Sequence, residues 1–149
     1  MEAQNFITTF RGQWAFLSNF WMCNVGGYPS AEHAFQATKC RNKEDRAQFK
    51  FGTPAEAKRL GRRVKLTPSD LKYWNDGRVE LMRIVLQCKF SNPELASRLR
   101  EMPADTYIVE GNRWHDNFWG SCSCTKCQDS GLNMLGKLLM ELRQTEEED

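Results

Sequence analysis

Three helix-start signatures in this 149-residue chain constrain its fold more than any other feature of the sequence. Thr53-Pro-Ala-Glu56 has the form of a capping box with proline at the first helical position, so the threonine and the glutamate can satisfy each other's backbone N–H groups. Thr67-Pro-Ser-Asp70 repeats this arrangement with aspartate, and Asn92-Pro-Glu94 starts a third helix in a similar way. These signals predict that much of the chain is helical.

The spacing of apolar residues predicts two further features of the helices. A stripe of apolar residues runs from Pro68 to about Lys89, and Gly77 marks either a kink or a break into two helices. Leucines at 132, 135, 138, 139 and 142 predict an amphipathic helix at the C-terminus.

Aromatic and β-branched residues predict short strands and turns at residues 6–10 and 14–25, and another strand at 107–109. A chain of this length is the size of one domain and can bury most of its apolar surface. We therefore predict an α+β fold, with a single mainly helical domain at residues 1–145, a small antiparallel sheet, and an acidic tail at 146–149.

The chain lacks the signals of a secreted or membrane protein. It has no apolar run long enough to span a bilayer, and its first residues lack the basic and apolar regions of a signal peptide. We therefore expect a cytoplasmic protein without a membrane partner. In that compartment its six cysteines should be thiols or metal ligands rather than disulfides.

The small net charge of +2 hides a strongly basic segment. Residues 39–72 hold eleven lysines and arginines against four acids, a net charge of +7. Such a segment suits a phosphate-bearing ligand or a nucleic acid. The alternative is a solvated helical face with no ligand.

The segment from Ser30 to Lys39 is predicted to be a short helix with Ser30 as its N-cap. Glu32, Gln36 and Lys39 then share one face at offsets of four and seven residues. The Cα atoms of Glu32 and Lys39 would be about 10 Å apart, so both side chains could reach one small molecule. The alternative is an ordinary surface helix that carries charge for solubility.

Four blocks, in order, give the chain a family resemblance between residues 10 and 143. They are Phe16-Leu-Ser-Asn-Phe-Trp21, Glu32-His-Ala-Phe-Gln-Ala-Thr-Lys39, His115-Asp-Asn-Phe-Trp-Gly120 and the segment from Gly131 to Arg143. In these blocks the chain resembles the YbiA-like family, whose members are also called NADAR domains. The resemblance implies an N-glycosidase that cuts the bond between a ribosyl C1 and a nitrogenous base.

The resemblance also implies the kind of substrate. The family acts on phosphoribosylamino-pyrimidines of the riboflavin pathway and on ADP-ribosyl groups attached to guanine. The expected partner is thus a small phosphorylated ribosyl compound or ADP-ribosylated DNA. Two rival functions are a module that binds ADP-ribose or a nucleotide without turnover, and a small zinc-stapled nucleic-acid-binding protein.

Three groups can help to break an N-glycosidic bond: a carboxylate near the ribose, a proton donor for the base, and aromatic faces that hold the base away from water. The catalytic candidates are Glu32, Lys39 and Asp116. The candidates for substrate binding are Arg11, Ser18, Asn19, Phe20, Trp74, Lys89, Glu110, Trp119 and Asn133.

Several of these residues have a structural alternative. Ser18, Asn19 and Asp116 could cap turns, Asn133 could be an N-cap, and Arg11 could be solvated. Lys39 could attack C1 as a neutral amine and form a Schiff base, or it could clamp a phosphate or pair with Glu32.

Cys122-Ser-Cys124-Thr-Lys-Cys127, with His115 upstream, offers the ligand set of a closed structural zinc site. Cys23, Cys40 and Cys88 are other candidates for the fourth ligand. The alternative to zinc is a group of reactive or merely tolerated thiols, and no other cofactor is expected. A closed site would staple the loop and leave no coordination position for catalysis.

Overall fold

The computed structural model describes residues 5–148, and for residues 146–148 it describes the backbone alone. The helices in this part of the chain are α1 Ala31–Ala37, α2 Lys43–Ala47, α3 Pro54–Arg63, α4 Pro68–Lys89, α5 Pro93–Arg100 and α6 Met134–Glu148. The strands are β1 Asn5–Ile7, β2 Met22–Val25, β3 Tyr28–Ser30, β4 Thr106–Ile108, β5 Gly111–Asn112 and β6 Ser121–Cys122. Two 3-10 helices are Gly12–Leu17 and Gln48–Lys50. The predicted α+β class is confirmed.

The acidic tail predicted at 146–149 lies outside the residues whose side chains are described, although the backbone of α6 continues to Glu148. The described chain forms two compact units. The central unit is Asn19–Ser91, and the terminal unit joins the chain up to Ser18 with the chain from Asn92 onward. The domain limits of 1–145 stay a prediction.

The predicted helix starts are confirmed by their hydrogen bonds. The Thr53 side chain accepts from the Glu56 N–H at 3.1 Å, and the Glu56 carboxylate accepts from the Thr53 N–H at 3.0 Å. Thr67 and Asn92 are the N-caps of α4 and α5, and the side chain of each accepts from a backbone N–H in the first turn of its helix. The helix α4 is continuous through Gly77, so the two-helix alternative is wrong.

The central unit is built around α1. The hairpin of β2 and β3 leads directly into this helix, which packs against α3 and α4. Every residue of α1 is buried, from Ala31 to Ala37. A cluster of Ala37, Cys40, Phe49 and Ala57 forms the apolar core beside it. The helix that carries the predicted site is thus the centre of this unit.

The terminal unit holds two parallel strand pairs, β1 with β4 and β5 with β6. The predicted antiparallel pairing is the hairpin of β2 and β3 in the central unit. Helix α6 packs against α5 and β4. Buried Arg143 of α6 donates hydrogen bonds to the carbonyls of Thr106 and Ala104, at 2.8 and 3.0 Å. These bonds fix the segment that leads into β4.

The stretch at residues 12–17, predicted to contain a strand or turn, is a 3-10 helix. Gly12 begins it in the left-handed region, at φ 57°, which glycine adopts without strain. Phe16 and Leu17 are buried, so the aromatic content reflects packing rather than strand pairing. None of the helices in the described part of the chain is long and apolar enough to cross a membrane.

Candidate active site on helix α1

The polar residues of α1 are buried, which distinguishes this helix from a surface helix. Glu32 and Gln36 are each 7% exposed and His33 is fully buried. Burial of polar groups costs free energy unless hydrogen bonds replace the lost water. The solubility explanation for the charges on this helix is therefore excluded.

His33 fixes α1 to its surroundings through both ring nitrogens. Its Nε2 lies 2.9 Å from the carbonyl oxygen of Gly52, which can only accept, so Nε2 carries the proton. Its Nδ1 then accepts from the Ser30 hydroxyl at 2.7 Å. The Ser30 oxygen also accepts from the His33 N–H as the N-cap of α1. Sequence reasoning missed His33 as a positioning residue, although it lies inside the Glu-His-Ala-Phe-Gln motif.

Glu32 is held by its neighbours on the same helix face. Its Oε1 accepts from Gln36 Nε2 at 3.1 Å, and its backbone N–H donates to the Asn19 carbonyl at 3.0 Å. Burial raises the pKa of Glu32 above its ordinary value of 4.5, although the Gln36 hydrogen bond, Lys58 and Lys39 oppose the shift. The carboxyl group therefore keeps its proton to a higher pH than an exposed glutamate does.

Lys39 is half-buried and does not pair with Glu32. Its Nζ donates to the carbonyl of Gly61 at 3.2 Å and lies 4.7 Å from the ring centroid of Trp74. The salt bridge between Lys39 and Glu32, one of the predicted alternatives, is absent from the described residues. Burial lowers the pKa of Lys39, Glu32 opposes this, and Arg62 adds to it. Burial thus raises the pKa of Glu32 and lowers that of Lys39, which brings the two values closer together.

Gly61 allows α3 to approach this face of α1. A Cβ atom at Gly61 would lie only 1.9 Å from Gln36 Oε1, so no other residue fits without moving the amide. Sequence reasoning missed Gly61, because its requirement arises from the packing of two helices.

Two amide oxygens near this face are buried without a hydrogen-bond donor among the described residues. They are Gln36 Oε1 and Asn19 Oδ1, while Asn19 Nδ2 contacts the sulfur of Met82 at 3.4 Å. A buried acceptor without a donor costs ~1–3 kcal/mol.

A cleft of about 230 Å³ opens beside Lys39. It is lined by Thr38, Lys39, Arg41, Leu66, Asp70, Tyr73 and Trp74. Trp74 Nε1 lies 3.4 Å from the Thr38 hydroxyl, and the Trp74 ring is tilted against Phe35 at 5.5 Å. Arg41 pairs with Asp70 at the same cleft. The cleft thus combines an aromatic wall with two cationic groups.

Lys89 and Phe20 complete the predicted residues of the central unit. Lys89 is fully buried at the end of α4, and burial lowers its pKa to about 8. Its Nζ lies 5.2 Å from the Phe90 ring centroid. Phe20 is 43% exposed. Their contact with substrate stays a prediction.

The remaining predicted residues belong to the terminal unit, and several make structural hydrogen bonds there. Asp116 Oδ1 accepts from the N–H groups of Phe118 and Trp119, at 3.2 and 2.9 Å, so it caps a turn. Asn133 accepts from the Glu110 N–H at 2.9 Å and donates to the Ile108 carbonyl at 2.9 Å. Their contact with substrate also stays a prediction.

Ser18 and Arg11 lie at the two ends of the 3-10 helix Gly12–Leu17. Ser18 donates its backbone N–H to the Ala15 carbonyl, and Arg11 is exposed. Trp119 is half-buried with Phe118 edge-on at 4.8 Å, whereas Trp114 is 60% exposed. Neither tryptophan is fully buried.

The terminal unit also contains the predicted thiol cluster. The ligand atoms of His115, Cys122, Cys124 and Cys127 all lie within 4.8 Å of one another. These four residues could hold a metal ion.

The chain is similar to known proteins in both sequence and structure. The family model described as NADAR domain matches residues 5–145. The chain is 33% identical over 132 residues to the N-glycosidase YbiA of Escherichia coli, covering 85% of this chain and 78% of that protein. The NMR structure of Escherichia coli YbiA superimposes with a TM-score of 0.75 at 32% identity, covering 97% of this chain and 86% of that one.

Plant proteins named for riboflavin biosynthesis are also similar. The chloroplastic protein PYRR of Zea mays is 36% identical over 126 residues, which is 78% of this chain. This chain spans about a fifth of the length of that protein, since the match covers 19% of it.

Proposed function

Because this chain belongs to the NADAR domain family, we propose that it is an N-glycosidase that cuts the bond between a ribosyl C1 and a nitrogenous base. The proposed substrate is a phosphoribosyl or ADP-ribosyl compound, either an intermediate of riboflavin synthesis or ADP-ribosylated guanine. The names of two relatives, N-glycosidase YbiA and riboflavin biosynthesis protein PYRR, support this reaction class and this substrate class.

One observation carries the proposal. Glu32 lies on α1, which is buried along its length, and Lys39 follows two residues after the last residue of that helix; burial raises the pKa of Glu32 and lowers that of Lys39. A helix that only needed to pack would have an apolar residue in place of Glu32. Perturbed pKa values of buried groups beside a cleft are typical of catalytic sites.

Lys39 is proposed as the nucleophile. A lysine attacks only as the neutral amine, and its lowered pKa increases that fraction. In this route Nζ attacks C1, and the electron pair of the C1–N bond leaves on the base nitrogen, which takes up a proton. The ring bond between C1 and oxygen then opens with proton transfer to that oxygen, which gives an imine between C1 and Nζ. Water adds to C1, and cleavage of the C1–Nζ bond returns the amine.

Glu32 is proposed as the group that exchanges these protons. Its raised pKa favours the protonated form, which can supply the proton that the departing base requires. In its ionised form the same carboxyl can stabilise positive charge at C1. If water attacks instead of Lys39, the carboxylate of Glu32 would activate it.

The cleft beside Lys39 is proposed to bind the rest of the substrate. The face of Trp74 can stack on a base, and Arg41 can contact a phosphate.

To test this proposal, the protein is incubated with a panel of substrates and the released base is detected by mass spectrometry. The panel contains phosphoribosylamino-pyrimidine, ADP-ribose, NAD and DNA with ADP-ribosylated guanine. We expect base release from the first or the last of these. Binding to all four without release would favour a binding module and refute the enzyme.

Borohydride added during turnover separates the two routes of attack. It should trap a ribosyl adduct on Lys39 if the imine forms. The Lys39→Arg variant keeps the charge but cannot form the adduct, so turnover should be lost while substrate binding is retained. Lys43→Arg, at an exposed position on α2, is the matched control and should keep wild-type turnover. Full turnover in Lys39→Arg would exclude attack by lysine.

A further inference from the structure

The loop between β5 and the start of α6 brings four metal-binding atoms together in the terminal unit. The Nδ1 atom of His115 lies 3.4 Å from the sulfur of Cys127, 3.6 Å from that of Cys124 and 3.8 Å from that of Cys122. The three sulfur atoms thus lie at nearly equal distances from one ring nitrogen.

These distances match the edges of a tetrahedral zinc site. Zinc binds cysteine sulfur at about 2.3 Å and histidine nitrogen at about 2.0–2.1 Å, so at a tetrahedral angle the nitrogen and each sulfur are about 3.6 Å apart. Of the three nitrogen–sulfur distances in the structure, one is shorter than that value, one equals it and one is longer. The ligand set of three thiolates and one imidazole is also typical of structural zinc.

The backbone around the cluster holds the ligands in place. The parallel pair of β5 and β6 sets Asn112 opposite Cys122. Asn112 Oδ1 accepts from the N–H groups of Trp114 and Asp116, each at 3.2 Å, and so closes the turn that carries His115. The N–H of Cys127 donates to the sulfur of Cys124 at 3.4 Å, which ties these two ligands to each other.

The loop also adopts backbone conformations that are unfavourable without support. His115, Gln128 and Asp129 have φ values of 68°, 53° and 59°, in the left-handed region that residues other than glycine rarely occupy. Such conformations persist when the surrounding structure imposes them, and they concentrate at functional sites. Backbone hydrogen bonds from Gln128 to Cys124 and from Asp129 to Cys122, at 2.8 and 2.9 Å, hold two of them, and a metal ion bound by His115 would hold the third.

We propose that His115, Cys122, Cys124 and Cys127 bind one zinc ion in a closed tetrahedral site. Cys23, Cys40 and Cys88, the other predicted candidates for the fourth ligand, are not part of this cluster. Since all four positions are filled by side chains, the zinc is structural. The ion cross-links the loop that carries His115 and the adjacent Asp116. The zinc site itself does not depend on the proposed function; only a contribution of this cross-link to catalysis rests on it.

The test uses the full chain, expressed with zinc and purified without chelator. Elemental analysis should find about one zinc per chain. Cys124→Ser and His115→Ala should lose it, whereas Cys88→Ser should retain it as the matched control. Replacement of zinc by cobalt should give the visible absorption of a tetrahedral thiolate site in wild type and in Cys88→Ser only.

Thermal unfolding provides a second readout that does not depend on glycosidase activity. A strong chelator should lower the Tm of wild type and of Cys88→Ser, and should leave the Tm of Cys124→Ser unchanged. Should Cys124→Ser not fold, His115→Ala carries the same comparison. Three results would overturn the proposal. They are a wild-type protein that binds no zinc even after titration with zinc, a disulfide among the three cysteines, and retention of zinc by both ligand variants.

Discussion

Replacing Gly61 by alanine should damage the site, whereas the same change at Gly77 should not. A Cβ atom at Gly61 would lie 1.9 Å from Gln36 Oε1 and 2.6 Å from Gln36 Cδ. Ordinary contact requires about 3.5 Å, so the amide must move by roughly 1.5 Å. That movement breaks the 3.1 Å hydrogen bond from Gln36 to Glu32.

The expected cost follows from these contacts. Losing a hydrogen bond between buried groups costs ~1–3 kcal/mol, and alanine recovers ~1 kcal/mol over glycine in a helix. Gly61→Ala should thus lower the free energy of unfolding by up to ~2 kcal/mol. Gly77 has no described atom within 4 Å of its added Cβ, so Gly77→Ala in α4 should gain ~0.5–1 kcal/mol. At ~2–4 °C per kcal/mol, the two variants should shift the Tm in opposite directions.

Turnover gives the sharper comparison. A misplacement of about 1 Å in a catalytic group can cost ~100-fold in rate, so Gly61→Ala should lose turnover on that scale. Gly77→Ala should keep wild-type turnover. Thermal melts and base release measured on both variants test the reasoning. A Gly61→Ala protein that is stabilised as much as Gly77→Ala and fully active would refute the claim that this contact holds the site.

Two further predictions concern buried titratable groups. Glu32→Gln should fold but lose turnover by at least ~100-fold, while Glu80→Gln, at an exposed position, should keep wild-type turnover. Near-normal turnover in Glu32→Gln would remove Glu32 from the mechanism. Since burial raises the pKa of Glu32, the folded state binds its proton more tightly, so the free energy of unfolding should fall as the pH rises from 4.5 through the raised value in wild type, and this component should be missing in Glu32→Gln. Burial lowers the pKa of Lys89 from 10.5 to about 8, so the unfolded chain binds more protons between these values and stability should rise over that range. Lys89→Met should lack this rise, and Lys137→Met, at an exposed position on α6, should keep it. Thermal melts at several pH values measure the rise. The same rise in both variants would contradict the claim that burial lowers the pKa of Lys89.

The helix starts could be predicted because their signals are local. Thr53 bonds a backbone group three residues away, as do Thr67 and Ser30, so the sequence contains both partners of each contact. The strand partners could not be predicted in this way. Asn5 pairs with Thr106 across a hundred residues, and three-residue strands carry too little pattern to select a partner.

The candidate site was predictable as a face and not as a set of contacts. The offsets of four and seven residues placed Glu32, Gln36 and Lys39 together, and Gln36 does bond Glu32. The alternative in which Lys39 pairs with Glu32 is wrong, because Lys39 donates to the carbonyl of Gly61 on α3. Such a contact depends on how closely α3 approaches α1, which no spacing within either helix determines.

The complete burial of α1 has a consequence for the motions of the molecule. Its amides are covered by β2, β3, α3 and α4, so hydrogen exchange there requires these elements to separate. Exchange at α1 should consequently be among the slowest in the central unit, while the exposed Tyr73 end of the cleft exchanges faster. The Glu32 carboxyl would then stay fixed while the cleft rim adapts, so differences in substrate choice among variants should arise from rim residues and leave the helix unchanged.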